Sequence, residues 1–359
     1  MPVRVDRRRF LALAGLGGAL ALSACSGARG TPAAEPASQG GAGATAPSGQ
    51  PTKVTLATIR GIFDQAYLLA AIDAGIYARD GIDLELVGFQ DDVAATRALI
   101  AGEVLVYDIA PARPLSAIEQ GTALKALGVT YARLPFVILG RKEVASLSAL
   151  PGKSVAIGAP GDLNDQIVRA LFRKYQVDAN AVSFVPIGPT PQIIQALIAG
   201  KVEAGPALFV NEFQVRDNPD LHRLADVSQE FPDWVRFVLF VKQETIERQD
   251  ALLRRFVLAH SKAWRWALEN RDAVIAAATK YLSIPEGLAA AAYDAPFTRP
   301  GMITPDFTIT AEQMQTVQEL NIAAGTQTRL IPFDQLVDLR YVQAVQQELG
   351  PYRVPVRGG

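Results

Sequence analysis

From residue 54 onward the chain alternates two hydrophobic rhythms. Short apolar runs rich in β-branched residues read as strands, and the segments between them repeat apolar positions at helical spacing. VTLATI (54–59) predicts a strand, and FDQAYLLAAIDAGIYARDG (63–81) comes next as a helical stretch with Gly81 just past its end. IDLELVGF (82–89) predicts a strand, DDVAATRALIAG (91–102) a helix, and VLVYDIAP (104–111) and LKALGVTY (124–131) two further strands. Asp91 and Asp92 suit the positive end of that helix, and Gly102 suits a left-handed cap.

The same order then restarts. SVAIGA (154–159) predicts a strand, and DLNDQIVRALFRKYQ (162–176) a helix capped by Asp162 or Asn164. VSFVPIG (182–188) is a strand, PTPQIIQALIAG (189–200) a helix with Pro189 or Pro191 in its first turn, and VEAGPALF (202–209) a strand. The pentapeptide ALIAG, at 98–102 and again at 196–200, thus fills one slot twice: the last turn and cap of the second helix in each unit. A β-α-β order of this kind implies a parallel sheet with helices on both faces.

FVILGRK (136–142) leaves the first unit, and VRFVLFVK (235–242) reads as a return strand. Beyond residue 242 the pattern is helical. LLRRFVLAHSKAWRWAL (252–268) aligns Leu253, Val257, His260 and Trp264 on one stripe, and AEQMQTVQELNIAAG (311–325) is a further helix. With no third α/β unit, these helices are expected to pack on the first. The expected organisation is α/β and two-lobed, each lobe a mainly parallel sheet with helices on both faces. Lobe one spans 52–137 and 242–350, lobe two (138–241) is inserted, and 351–359 is a tail. Two chain crossings make a hinge with a cleft at the carboxyl ends of the sheets.

The first residues speak of export. Arg7, Arg8 and Arg9 precede an apolar run (10–24) too short for a mature membrane span, so residues 1–25 read as a signal peptide. Its Arg-Arg-x-Phe-Leu order resembles a twin-arginine signal, and Leu22-Ser23-Ala24-Cys25 matches a lipoprotein box in which Cys25 is acylated. Of the 26 residues from 26 to 51, 22 are Ala, Gly, Pro, Ser or Thr, a composition that cannot bury enough apolar surface to order itself. That segment is a flexible tether, and the expected location is the outer face of the cytoplasmic membrane or the periplasm.

Composition then removes alternatives. Lys plus Arg (35) balance Asp plus Glu (36), so no net field favours nucleic acid. Two histidines, His222 and His260, and the single cysteine, Cys25, exclude an internal disulfide and most metal clusters. No cofactor and no metal are expected. No Gly-x-Ser-x-Gly, phosphate-loop or His-Glu-x-x-His stretch occurs, and His260, on an apolar stripe, reads as a packed residue.

Four stretches carry a family resemblance: YLLAAIDAGIYARDGIDLELVGF (67–89), ALIAGEVLVYDIAP (98–111), LPGKSVAIGAPGD (150–162) and LIPFDQLVDLRYV (330–342). In order and spacing, residues 52 to about 345 resemble the substrate-binding proteins of ABC importers for nitrate, taurine, aliphatic sulfonates and thiamine-pyrimidine precursors. The resemblance implies a flytrap-like type II periplasmic binding protein, monomeric, that hands a small solute to a permease driven by a separate ATPase. The chain departs from the family after the first strand (Arg60-Gly61-Ile62-Phe63-Asp64-Gln65) and after the second (Gln90-Asp91-Asp92), which argues against a simple sulfonate or nitrate pocket. The same fold also serves enzymes, including a pyrimidine synthase with a cysteine cluster and an active-site histidine. A lipid-anchored sensor is a third reading.

In such a fold the ligand is met by loops between strands and helices. From lobe one the candidates are Arg60, Phe63, Asp64, Gln65, Gln90, Asp91, Pro111 and Tyr131. From lobe two they are Asp162, Asn164, Asp165, Thr190, Phe209, Asn211 and Glu212, with Trp234 as an aromatic wall. Structural roles compete: Asp91 and Asp162 also suit helix capping, Arg60 a surface ion pair, and Phe63 a core. With Asp64, Asp91, Asp162, Asp165 and Glu212 set against Arg60, a dianion is disfavoured. A neutral or partly cationic heteroaromatic nutrient, such as a vitamin precursor, is expected ahead of a sulfonate.

Overall fold

The computed structural model of the chain describes residues 50–299 and 301–354. The leader, the Cys25 lipoprotein box and the tether up to residue 49 lie outside the described residues, as does the tail from 355.

The first unit runs β1 (Thr52–Ile59), α1 (Gln65–Asp73), α2 (Ile76–Arg79), β2 (Ile82–Phe89), α3 (Asp92–Ala101), β3 (Val106–Ile109), α4 (Ala112–Glu119) and β4 (Leu124–Tyr131). The stretch expected as one helix over 63–81 is two, because Gly75 adopts a left-handed φ of 72° and breaks it. The second unit runs β5 (Phe136–Arg141), β6 (Ser154–Ile157), α5 (Leu163–Lys174), β7 (Ser183–Pro186), α6 (Thr190–Ile198), β8 (Ala204–Leu208), α7 (Phe209–Val215), β9 (Leu221–Asp226) and α8 (Val227–Glu230). The chain returns through β10 (Phe237–Lys242) to α9 (Gln243–Glu269), α10 (Arg271–Leu282), α11 (Glu286–Asp294), α12 (Ala311–Ala323), α13 (Phe333–Leu336) and α14 (Arg340–Leu349).

Two five-stranded sheets result, ordered β2-β1-β3-β10-β4 and β7-β6-β8-β5-β9. The orders are the same once the strand arriving from the other lobe is recognised. β10 enters the first sheet antiparallel between β3 and β4, and β5 enters the second antiparallel between β8 and β9. The other pairings, β1 with β2 and β3, and β6 with β7 and β8, are parallel. This is the periplasmic-binding-protein fold, each lobe a mainly parallel sheet between helices. The return strand belongs to the first sheet, so the second crossing falls before Phe237 rather than near residue 241. The first crossing likewise falls between Tyr131 and Phe136.

The repeated pentapeptide ends α3 and α6 in one geometry. The Glu103 amide donates to the Ala98 carbonyl (2.9 Å) and the Gly102 amide to Leu99 (3.1 Å), while Lys201 donates to Ala196 (2.9 Å) and Gly200 to Leu197 (3.1 Å). Both glycines are left-handed, with φ of 77° and 66°. Each is therefore a Schellman cap, in which a side chain would strain the backbone.

The late helices pack mainly on lobe one: α9 and α10 against α1, α12 against α4, and α14 against β4. On α9 the stripe Leu253, Val257, His260 and Trp264 is buried. His260 meets Tyr77 Oη at Nδ1 (2.7 Å) and receives the Trp264 indole N–H at Nε2 (3.2 Å), which supplies a buried imidazole with partners. α11 is the exception, since it reaches across to α7 of lobe two. Beside it Arg299 stacks on the Phe209 ring at 3.7 Å and pairs with Asp226 at 2.8 Å, both in lobe two.

Candidate functional site

A cavity of about 620 Å³ lies between the lobes at the carboxyl ends of the strands. Its walls come from the turn after β1 (Gly61 to Asp64), Tyr67 on α1, Tyr131, Pro135 and Phe136 at the first crossing, and Arg236 at the second. Lobe two adds Asp162 to Asn164, Pro189 to Pro191, and Leu208 to Asn211. Ile284, Leu288, Ala292, Ala295 and Pro296 close it from the α11 side. The surface is chiefly apolar and aromatic with few polar groups, the usual make-up of a small-molecule site.

Eight of the sequence candidates line this cavity: Phe63, Asp64, Tyr131, Asp162, Asn164, Thr190, Phe209 and Asn211. The other eight do not, and their local contacts explain why. Arg60 turns outward to donate to the Gly88 carbonyl at 3.0 Å. Gln65 is buried behind the turn, donating to Thr58 Oγ1 (2.7 Å) and accepting from the Gly61 amide (2.9 Å). Gln90 and Asp91 come after β2, an edge strand, where Asp91 caps α3 by accepting from the Ala94 amide at 2.8 Å. Pro111 stands at the start of α4. Asp165 accepts from the Gly161 amide (2.8 Å) and from Arg169 (2.7 Å). Glu212 pairs with Arg223. Trp234, 4% exposed, packs edge-on against Phe231 at 5.7 Å behind the hinge and offers the cleft no wall.

The cation of the cleft is Arg236, not Arg60. Arg236 Nη2 donates to Asp64 Oδ2 at 2.8 Å, and the two side chains are only 13% and 12% exposed. Its guanidinium lies over the rings of Tyr131 (5.1 Å) and Phe237 (4.6 Å). Burial raises the Asp64 carboxyl above its ordinary value against the opposing pull of Arg236. Burial also lifts the Tyr67 and Tyr131 hydroxyls well above the usual phenol range, so both stay protonated as donors.

Two polar atoms in the lining have no partner. Tyr67 Oη and Asn164 Oδ1 are buried and unbonded, one from each lobe, in residues 1% and 9% exposed. A buried polar atom left unpaired costs about 1–3 kcal/mol, and both atoms are closed off from the cavity in this conformation, so an occupant reaches them only with a shift of their side chains. The Tyr67 ring is held rigidly, stacked between Trp264 (5.1 Å) and Tyr293 (5.6 Å) with Phe63 edge-on at 5.5 Å. Sequence reasoning missed Tyr67 because it sits inside an apolar helix pattern. It passed over Arg236 for its neighbour Trp234, although an arginine opening a buried strand was the available signal.

The sequence model of the NMT1/THI5-like family matches residues 62–274, more than half of the chain. The chain belongs to that family. No curated protein sequence matches it. Among solved structures, the periplasmic aliphatic sulphonate binding protein SsuA from Escherichia coli shares 15% identity over 87% of this chain and 95% of its own, with a TM-score of 0.66. The ligand-binding component of an ABC-type import system from Staphylococcus aureus, with zinc bound, shares 15% over 82% and 98%, with a TM-score of 0.61. The desulfurization enzyme DSZB shares 15% over 83% and 99%, with a TM-score of 0.62. At these identities the likeness is one of fold, and that fold carries binding proteins and an enzyme alike. The expected kinship is met at the level of family and fold. Among the described residues no cluster suited to a metal occurs, and no helix is long and apolar enough to cross a membrane.

Proposed function

We propose that the protein is the extracytoplasmic solute-binding component of an ABC importer, exported by its twin-arginine-like leader and held to the membrane by a lipid on Cys25. Its solute is a small heteroaromatic nutrient, such as a vitamin precursor, ahead of a sulfonate, taurine or nitrate. The observation that carries this reading is the pair of unpartnered buried atoms, Tyr67 Oη and Asn164 Oδ1, set in opposite lobes of one aromatic cleft. A flat ring between the aromatic and proline walls would present a ring N–H that Asn164 Oδ1 accepts once its side chain turns toward the cleft. Family membership and the fold shared with import-system proteins support the same reading.

The mechanism is ligand-biased closure. The two crossings, residues 132–135 and 231–236, let the lobes move about one hinge, and a solute favours closure only through contacts made to both lobes at once. The protein acts as a monomer and passes its cargo to a permease powered by an ATPase. It is read as a binder rather than an enzyme because, among the described residues lining the cavity, no nucleophile is set beside a base.

Calorimetric titration tests this. Aminopyrimidines and related N–H-bearing rings should bind, and Tyr67→Phe or Asn164→Ala should each weaken binding by roughly five- to tenfold. Tight taurine or alkanesulfonate binding with no heteroaromatic binding rejects the ligand class. Ligand-dependent stimulation of the partner permease's ATPase separates an importer component from a lipid-anchored sensor.

A further inference from the structure

An anion site in a two-lobed protein of this fold has two physical resources: a cation in the cleft, and unoccupied amides at helix N-termini. Here the cation, and several of those amides, are consumed by the protein itself. Arg236, the only Lys or Arg among the described residues lining the cavity, gives its guanidinium to Asp64. At the start of α5 the Asp162 carboxylate accepts from the Asp165 amide (2.9 Å) and the Ala159 amide (2.9 Å), and the Gly161 amide is taken by Asp165. The start of α6 carries Pro189 and Pro191, which have no N–H. Before α1 the Gly61 amide donates to Gln65 Oε1, and the Gln65 and Ala66 amides donate to the Ile62 and Phe63 carbonyls. An entering sulfonate would meet two carboxylates, Asp64 and Asp162, and no unclaimed cation.

We propose that Asp64 is a specificity-determining residue that closes the cleft to anions by claiming Arg236, leaving it open to neutral and cationic solutes. This rests on the binding-protein reading and deepens it. The arrangement is a charge filter rather than a steric one, because the cavity is large enough for an aromatic sulfonate. Removing the Asp64 carboxylate leaves a buried guanidinium, framed by Tyr131 and Phe237, in need of an anion. The prediction is a gain of function, which a merely structural role for Asp64 would not produce.

The probes are benzenesulfonate and its neutral near-isostere benzenesulfonamide, titrated into the wild type, Asp64→Asn, and the double variant Asp64→Asn with Arg236→Gln. Wild type should show no saturable benzenesulfonate binding, whereas Asp64→Asn should bind it at least about tenfold more tightly. The double variant should lose that gain. A folded Asp64→Asn that binds the sulfonate no better than wild type overturns the proposal, and so does wild type binding it as tightly as the variant. Should Asp64→Asn fail to fold unaided, its refolding is followed against each probe: rescue by the sulfonate alone supports the filter, and no rescue overturns it. Failure of the importer reading is a separate result, since it shows as a permease that does not respond, whatever Asp64 does to sulfonate binding.

Discussion

The two lobes share a framework and differ in what they bring to the cleft. Both sheets have the same strand order with one antiparallel newcomer, and both second helices end in the same five residues with the same cap. Even exposure repeats, with Ile100 and Ile198 at 38% and 45%. At the cleft the likeness stops. Lobe one contributes a buried ion pair, Asp64 with Arg236, and the unpartnered Tyr67 hydroxyl. Lobe two contributes a capped helix start, two prolines and the unpartnered Asn164 carbonyl. Caps obey backbone geometry alone, whereas the groups at the cleft depend on which distant segments the fold brings together.

The largest contrast should come from arginine removal in each lobe. Arg236→Met strands the buried Asp64 and should cost about 3 kcal/mol in urea unfolding. Arg169→Met, which removes the half-exposed partner of Asp165 in lobe two, should cost under about 1 kcal/mol. Equal losses would break the contrast between a lobe-one pair buried on both sides and a lobe-two pair whose arginine is half-exposed and whose buried carboxylate keeps the Gly161 amide. Next in size is the tie between lobes. Arg299→Ala removes the contacts to Asp226 and the Phe209 ring, and should destabilise by about 2 kcal/mol and enlarge the ligand-free particle in small-angle scattering. An unchanged scattering profile would remove Arg299 from any part in closure.

The shared framework makes a third prediction. Gly102→Ala and Gly200→Ala should each cost about 1 kcal/mol because both caps need the left-handed conformation, with the larger loss at Gly200, where a Cβ would come within 3.2 Å of Arg141 Nη1. The two losses should add within about 0.5 kcal/mol in the double variant, since the sites share no partner. The smallest effect is one of pH. Glu203 in lobe two is held below its ordinary value, first by the Ser154 hydroxyl, so its stabilising contribution is present above the unfolded value and lost as pH falls through the folded one. Asp64 in lobe one is raised by burial, so the fold takes up its proton earlier than the open chain, and this group's share of stability rises on acidification. Glu203→Gln should therefore flatten the acid limb of the stability curve, and Asp64→Asn should steepen it. Shifts of the same sign in both variants would contradict the assignment.

Much of the framework was legible along the chain because its causes are local. An aspartate three residues before the amide it accepts from marks the starts of α3 and α5, and a glycine past the last apolar turn marks two ends. The insertion of one lobe in the other came from counting α/β units. Less legible were β9 (LHRLAD) and α7, short elements with little periodicity that are held by neighbours rather than by pattern. The break at Gly75 hid inside a continuous apolar stretch.

The cleft was legible only in part. Loops after strands could be named, but β2 is an edge strand, and that placement takes Gln90 and Asp91 away from the cavity. Trp234 and Arg236 stand two residues apart, and only the packing of the hinge decides that the first is walled in and the second faces the cleft. The partnership of Asp64 with Arg236 joins positions 172 residues apart. Spacing along a chain encodes periodicity and caps, which depend on neighbours within a turn or two. Which charges meet, and which polar atoms are left wanting a partner, depends on where two crossings bring distant segments together.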